Sequence, residues 1–227
     1  MISNMAVILA IETTTKNCSV ALFQDGKELS CHEELSQDYT HAEKLTVYIQ
    51  ELMKQIKLSF NDLDAIAISQ GPGSYTGLRI GTSVAKGLCY SLEIPLISIP
   101  TLKGMAYQAS VSEEYDLFCP MLDARRMEVF AAIYDKDNQE IRAVEADIVH
   151  KETYDDYLHN KILFFGDGAL KCREVISHKN AYFLNDIYPS ARNLGVLSND
   201  KFIKKDFEDI AYFEPFYLKD FVAGKKS

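Results

Sequence analysis

The sequence predicts a mixed α/β fold, and two observations carry that reading. Three short strand-like stretches follow one another near the start, and after them helix and strand signals alternate. Strands joined by tight turns pair antiparallel, whereas strands separated by a helix need a crossover and pair parallel. Both arrangements in one segment make the sheet mixed, with helices on its faces.

Val7 to Ile11 and Cys18 to Phe23 are the first two strands, and the turn pair Asp25-Gly26 leads from the second into Lys27 to Leu35. Thr40 and Glu43 have the spacing of a capping box, and Leu45, Tyr48, Ile49, Leu52, Met53 and Ile56 then recur at helical spacing. Asp64 to Ser69 reads as a buried strand, Gly71-Pro72-Gly73 as a sharp turn, and Tyr75 to Leu92 as a second helix. Pro95 to Ile99 is another strand, before a helix from about Thr101. The order βββαβαβα is the half-unit of the actin, Hsp70 and hexokinase fold, and it predicts a first lobe over residues 1–104.

Beyond residue 110 the pattern weakens, although Leu117 to Leu122, Glu128 to Tyr134 and Glu140 to Asp147 remain strand-like around the turn Asp135 to Asn138. Ile162 to Phe165 runs into Gly166-Asp167-Gly168 as a strand-to-helix turn, and Pro189 suits the first turn of a later helix. These signals predict a shortened second lobe over 105–227, whose last helix has room to return to the first. An actin-like protein would contain two divergent copies of one unit.

A chain of 227 residues with 47% hydrophobic content buries a sizeable core. No stretch approaches the length that crosses a bilayer, and the start has no signal-peptide pattern, so the expected location is the cytoplasm. Five cysteines, Cys18, Cys31, Cys89, Cys119 and Cys172, are odd in number and never form C-x-x-C, as expected of reduced thiols. A formal charge of -9 and a pI near 5.1 oppose phosphate, so any nucleic-acid contact is expected through another subunit. Lys204-Lys205 and Lys225-Lys226 are short basic runs that read as solvated surface.

The segment Gln70 to Arg79 is a glycine-rich turn opening a helix, with Gly71, Gly73 and Ser74 where free N–H groups could meet an anion. It is not a P-loop, because Leu78-Arg79 stand where Lys and Ser or Thr are needed. The alternative is that the glycines serve a tight turn and close packing. The second helix also carries Gly77, Gly81, Ala85 and Cys89 at every fourth position, leaving one side nearly bare. Each interior glycine costs about 1 kcal/mol against alanine, so packing must compensate, either inside the chain or against a partner. Glu12-Thr13-Thr14-Thr15 lies where actin-like kinases hold phosphate, but it lacks the glycine and reads as a polar turn. Asp123, Arg125 and Glu128 form a charged trio, read as an ion pair that orders the turn Asp123 to Arg126. The histidines, His32, His41, His150, His159 and His178, include no pair at metal-ligand spacing.

The chain resembles the bacterial TsaB (YeaZ) family, partners of TsaD in threonylcarbamoyladenosine synthesis. The resemblance rests on Ile11-Glu12-Thr13, Cys18 to Leu22, Gly71 to Gly81 and Ala85 to Leu88, and resumes at Asp123-Ala124-Arg125 and Glu214 to Leu218. Glu12 stands for a commoner aspartate and Phe216 for a commoner aliphatic residue. Where TsaD carries His-x-x-x-His, this chain has Thr101 and Met105, a hydroxyl and a thioether that replace imidazole ligands poorly.

The resemblance implies a non-catalytic subunit with no cofactor of its own. TsaD would transfer threonylcarbamoyl to the adenosine next to the anticodon of tRNA, TsaE would join the ternary complex, and ATP and metal would belong to that assembly. It implies a TsaD interface on the first two helices, through Leu45, Tyr48, Leu52, Gly77, Leu78, Gly81 and Ala85, and a homodimer as the form without TsaD. Two other classes stand beside it: an actin-like small-molecule kinase or ATPase, and a homodimeric scaffold unrelated to tRNA.

Overall fold

The computed structural model describes residues 6–36, 41–185 and 187–219; Thr40 of the capping box and the Lys225-Lys226 run lie outside them. The hairpin at Asp25-Gly26 forms because both residues take the left-handed backbone of a two-residue turn, with φ of 50° and 74°. It joins β2 (Asn17–Gln24) to β3 (Lys27–Leu35), and β2 pairs antiparallel with β1 (Val7–Glu12). The chain crosses through α1 (His41–Ile56) to β4 (Ala65–Ser69), parallel to β1, and through α2 (Tyr75–Leu92) to β5 (Leu96–Ile99), parallel to β4. The sheet order is β3-β2-β1-β4-β5. All residues of β1 and β4 are buried, as in central strands covered on both faces.

After α3 (Thr101–Ala109) come β6 (Leu117–Asp123), β7 (Glu128–Asp135), β8 (Glu140–Ile148), β9 (Ile162–Phe165), α4 (Ala169–Cys172) and β10 (Ala181–Leu184). Their sheet, read from the other edge, is β8-β7-β6-β9-β10, with β6-β7 and β7-β8 antiparallel and β6-β9 and β9-β10 parallel. Pairing and order repeat those of the first sheet, so the chain has the actin-like α/β fold of two duplicated mixed sheets.

The second lobe is shortened in its helices rather than in its sheet. In place of α1 it has a run of turns, with Tyr157 N–H donating to Tyr154 O and Asn160 N–H to Tyr157 O, and the counterpart of α2 is the four-residue α4. Tyr154 and Leu158 of that run still fill the core beside Phe164 and Ile133.

Two placements differ from the sequence reading. Helix α3, assigned to the end of the first lobe, buries Leu102, Met105, Ala106 and Ala109 against Phe118, Leu122 and Phe165 of the second, so the packing boundary precedes Thr101. The strand β10 has no counterpart in the sequence reading, and the later helix expected at Pro189 begins instead at Gly195, as α5 (Gly195–Lys204), without a capping side chain. Together with Ala191 and Leu194 just before it, α5 covers the first sheet on the face opposite α1 and α2, against Ile8, Phe23 and Ile97.

Beyond α5 the chain runs as a strap along β5. Glu208 N–H donates to Leu96 O at 2.9 Å, Phe213 enters the first core, and Phe216 N–H donates to Gln70 O at 2.7 Å.

Candidate partner surface and the glycine-rich turn

Helix α2 begins where Ser74 caps it: the Ser74 hydroxyl accepts from Gly77 N–H at 3.3 Å, and Ser74 O accepts from Leu78 N–H at 2.8 Å. The Ser74 N–H is itself taken by Thr14 O at 2.6 Å, so the β1–β2 loop lies directly on the helix start. Gly73 permits this approach, since a Cβ there would stand 2.5 Å from Thr14 Cβ. Gly71 has φ of 115°, and its missing Cβ leaves room for Phe216 O, 2.6 Å from where that atom would be. The peptide between Gly71 and Pro72 is cis. Gly71, Gly73 and Ser74 thus join three segments at close quarters, the packing role weighed against anion binding.

The bare stripe of α2 faces the same loop. Thr13 Oγ1 donates to Gly77 O at 2.8 Å, and a Cβ on Gly81 would collide with that Oγ1. Leu45, Tyr48, Leu52, Gly77, Leu78, Gly81 and Ala85, the residues expected to touch a partner, are all buried within the chain. Leu45, Tyr48, Leu52 and Ala85 pack with Val20, Leu22 and Ile68, and the Tyr48 hydroxyl donates to Glu34. Their side chains are thus engaged in the chain's own packing. A four-residue period marks a face that something approaches closely, and here that neighbour is the chain's own β1–β2 loop.

The outward face of the two helices has a different composition. Val47 on α1 is 45% exposed and Tyr90 on α2 is 83% exposed, while Ile80, Val84 and Leu88 are half-buried. Between them sit Ser83 and Gly87, both exposed, and a Cβ on Gly87 would meet nothing within 4 Å. Among the described residues no contact accounts for glycine at this mid-helix position. Ser83, Gly87 and Ser91 also recur every four residues, the signal that could have found this face in the sequence.

Thr101 and Met105 are both spent in packing. The Thr101 hydroxyl accepts from Gly71 N–H at 3.0 Å, and Met105 is fully buried, its Cε against Gly166. Among the described residues no group of three or more His, Cys, Asp or Glu comes together as a metal site. Glu12 is buried at the end of β1, accepting from Thr14 N–H at 2.6 Å and from the Ser69 hydroxyl. Burial pushes its carboxyl above the ordinary value, against the lowering effect of those bonds.

A cavity of about 560 Å³ lies between the lobes, walled by Thr14, Ser74 and Tyr75 on one side and Asp123, Arg125 and Asp167 on the other. The turn at Asp123 is ordered differently from the expected Asp123, Arg125 and Glu128 pairing. Arg125 N–H, not its guanidinium, donates to Asp123 Oδ1 at 3.0 Å, while the ion pairs run from Lys171 to Asp123 and from Lys219 to Glu128. Backbone capping competes here with side-chain pairing, and sequence alone does not bring Lys171 or Lys219 to this turn. Gly166, at φ of 108°, makes the predicted turn into α4.

This fold and site have close counterparts. TsaB of Escherichia coli, a tRNA threonylcarbamoyladenosine biosynthesis protein, is 31% identical over 229 aligned residues, covering 96% of this chain and 97% of that protein. The chain belongs to the TsaB (YeaZ) family. The solved structure of YeaZ from Pseudomonas aeruginosa superposes with a TM-score of 0.79 at 26% identity, over 94% of this chain and 100% of that one. The family model described as TsaD, tRNA N6-adenosine threonylcarbamoyltransferase, matches residues 32–226. A threonylcarbamoyltransferase of Fusobacterium nucleatum is 30% identical over 128 residues, which is 50% of this TsaB-family chain but 38% of the transferase. The likeness to TsaB therefore runs end to end, whereas the likeness to that transferase is partial. Its place is in tRNA threonylcarbamoyladenosine biosynthesis. No helix among the described residues is long and apolar enough to cross a membrane.

Proposed function

We propose that this chain is a non-catalytic subunit that binds TsaD through the outward face of α1 and α2 and holds it competent for threonylcarbamoyl transfer to the adenosine next to the anticodon of tRNA. The observation that carries the reading is Gly87: an exposed helical glycine with open space around its Cα, flanked by Ile80, Val84, Leu88 and Tyr90. Such a glycine costs about 1 kcal/mol with no compensation among the described residues, and a helix crossing over it would supply that compensation. Thr101 and Met105, occupied in packing, support leaving the chemistry to TsaD. TsaE, ATP and metal enter with the assembled complex, tRNA is reached only through it, and the work is done in the cytoplasm.

The contact of Thr14 with Gly73 and Ser74 counts against a kinase reading, because the loop that would cradle phosphate rests on the helix start. A homodimer would use the same helix face, so TsaD and a second copy compete for it. Sedimentation of the chain mixed with TsaD, for the natural sequence and Gly87→Arg, tests this. The expected result is a complex for the first and little for the second, with modification activity only when TsaD, TsaE and ATP are present. Robust modification by the chain alone, or a Gly87→Arg variant that binds TsaD undiminished, would sink it.

A further inference from the structure

The strap after α5 lines the cavity between the lobes, and among the described residues its polar ties to the two lobes are very unequal. On the first lobe Glu208 bridges to Leu96, and Lys86 Nζ donates to the carbonyls of Ala211 and Phe213 at 3.2 and 3.1 Å. Phe213 is buried, Phe216 is bonded to Gln70, and the Tyr217 ring lies 4.8 Å from that of Tyr75. On the second lobe, among the described residues, the polar hold is one ion pair, from Lys219 Nζ to the carboxylate of Glu128.

We propose that residues 216–219 form a latch across the interlobe cavity, fixed to the first lobe and released from the second when the Lys219–Glu128 pair breaks. Tyr217, Leu218 and Lys219 line that cavity, so the latch in place narrows its mouth. The Lys219 and Glu128 side chains are 44% and 20% exposed, and a pair so placed is weak and screened by salt. Glu128 also closes a turn that is itself strained. Its N–H donates to Arg125 O and its carbonyl accepts from Ala124 N–H, while Arg125 and Arg126 hold φ of 70° and 50°, a backbone that side-chain-bearing residues rarely adopt. The ion pair that ties the strap to the second lobe thus ends on a strained turn. The latch is a property of this chain alone and holds whatever covers α1 and α2.

Hydrogen exchange of the full chain, read by mass spectrometry on peptides covering 122–128 and 70–76, tests the latch in Lys219→Ala, Glu128→Gln, Lys219→Arg and the Lys219→Ala/Glu128→Gln pair. At about 0.01 M salt, where charges are screened only beyond about 30 Å, each of the first two is expected to exchange several-fold faster than the natural chain in 122–128. Lys219→Arg is expected to stay near the natural rate, the double variant to match the singles, and about 1 M salt to bring the natural chain to their level. Unchanged exchange in the single variants, additive effects in the double variant, or an equal acceleration in the peptides of β1 and β4 would overturn the proposal.

Discussion

Thr13 and Gly81 share one site: the Thr13 hydroxyl occupies the space that any side chain at Gly81 would enter. The same hydroxyl donates to Gly77 O, so the β1–β2 loop and the bare stripe of α2 form one packed unit. Gly81→Leu is therefore expected to destabilise the fold by about 1–3 kcal/mol, lowering the melting temperature by several degrees. Thermal unfolding followed by circular dichroism checks this, and an unchanged midpoint would place the stripe outside the core.

Gly87 has the opposite expectation. A Cβ at this position would have nothing within 4 Å, so Gly87→Ala gains helix propensity without a clash, about 1 kcal/mol of added stability. The melting temperature is expected to rise by about 2–4 °C. A fall would mean that another part of the chain contacts this position.

Glu12 gives a pH dependence with a definite sign. Its folded-state pKa lies above the ordinary 4.5, so the folded chain holds the proton more tightly than the unfolded one. The carboxyl therefore costs stability progressively as pH rises from about 4.5 through the folded-state value, and the cost vanishes below that window. Glu12→Gln keeps an acceptor for Thr14 N–H and carries no charge, so it is expected to be more stable than the natural chain at neutral pH, with the advantage shrinking towards pH 4.5. Denaturant unfolding at several pH values measures it, and an advantage that grows on acidification would refute the assignment.

All five cysteines are free, with Cys31 half-buried and the others buried. Burial pushes the thiols of Cys18, Cys31 and Cys89 up to about 12, which leaves little thiolate at neutral pH. Iodoacetamide at about pH 7.5, below every one of these values, is expected to label the native chain slowly, Cys31 first, and to label all five after unfolding. Rapid labelling of Cys18 or Cys89 in the native chain would contradict their burial.

The charge of -9 makes a prediction about tRNA. The isolated chain is expected to bind it weakly, because few phosphate contacts can form against a net negative surface. A gel-shift titration at physiological salt decides the matter, with tight, strongly salt-dependent binding as the contrary outcome.

The sequence by itself determined the order of elements in the first lobe, the Asp25-Gly26 hairpin and the limits of α2, because those signals are local: alternation, helical spacing and turn chemistry act within a few residues. It also determined that one side of α2 must be approached closely, since Gly77, Gly81, Ala85 and Cys89 share a face. Only the tertiary structure decided what approaches it. Thr13 lies 68 positions before Gly81, and a periodicity names a face without naming its neighbour. The same limit hid the start of α5, where Gly195 lies against the ring of Phe23 and no side chain caps the helix, and moved α3 onto the second sheet. It also hid the outward face around Gly87, because exposure is a property of the whole packed molecule, and Gly81 and Gly87 differ only in what the rest of the chain places above them.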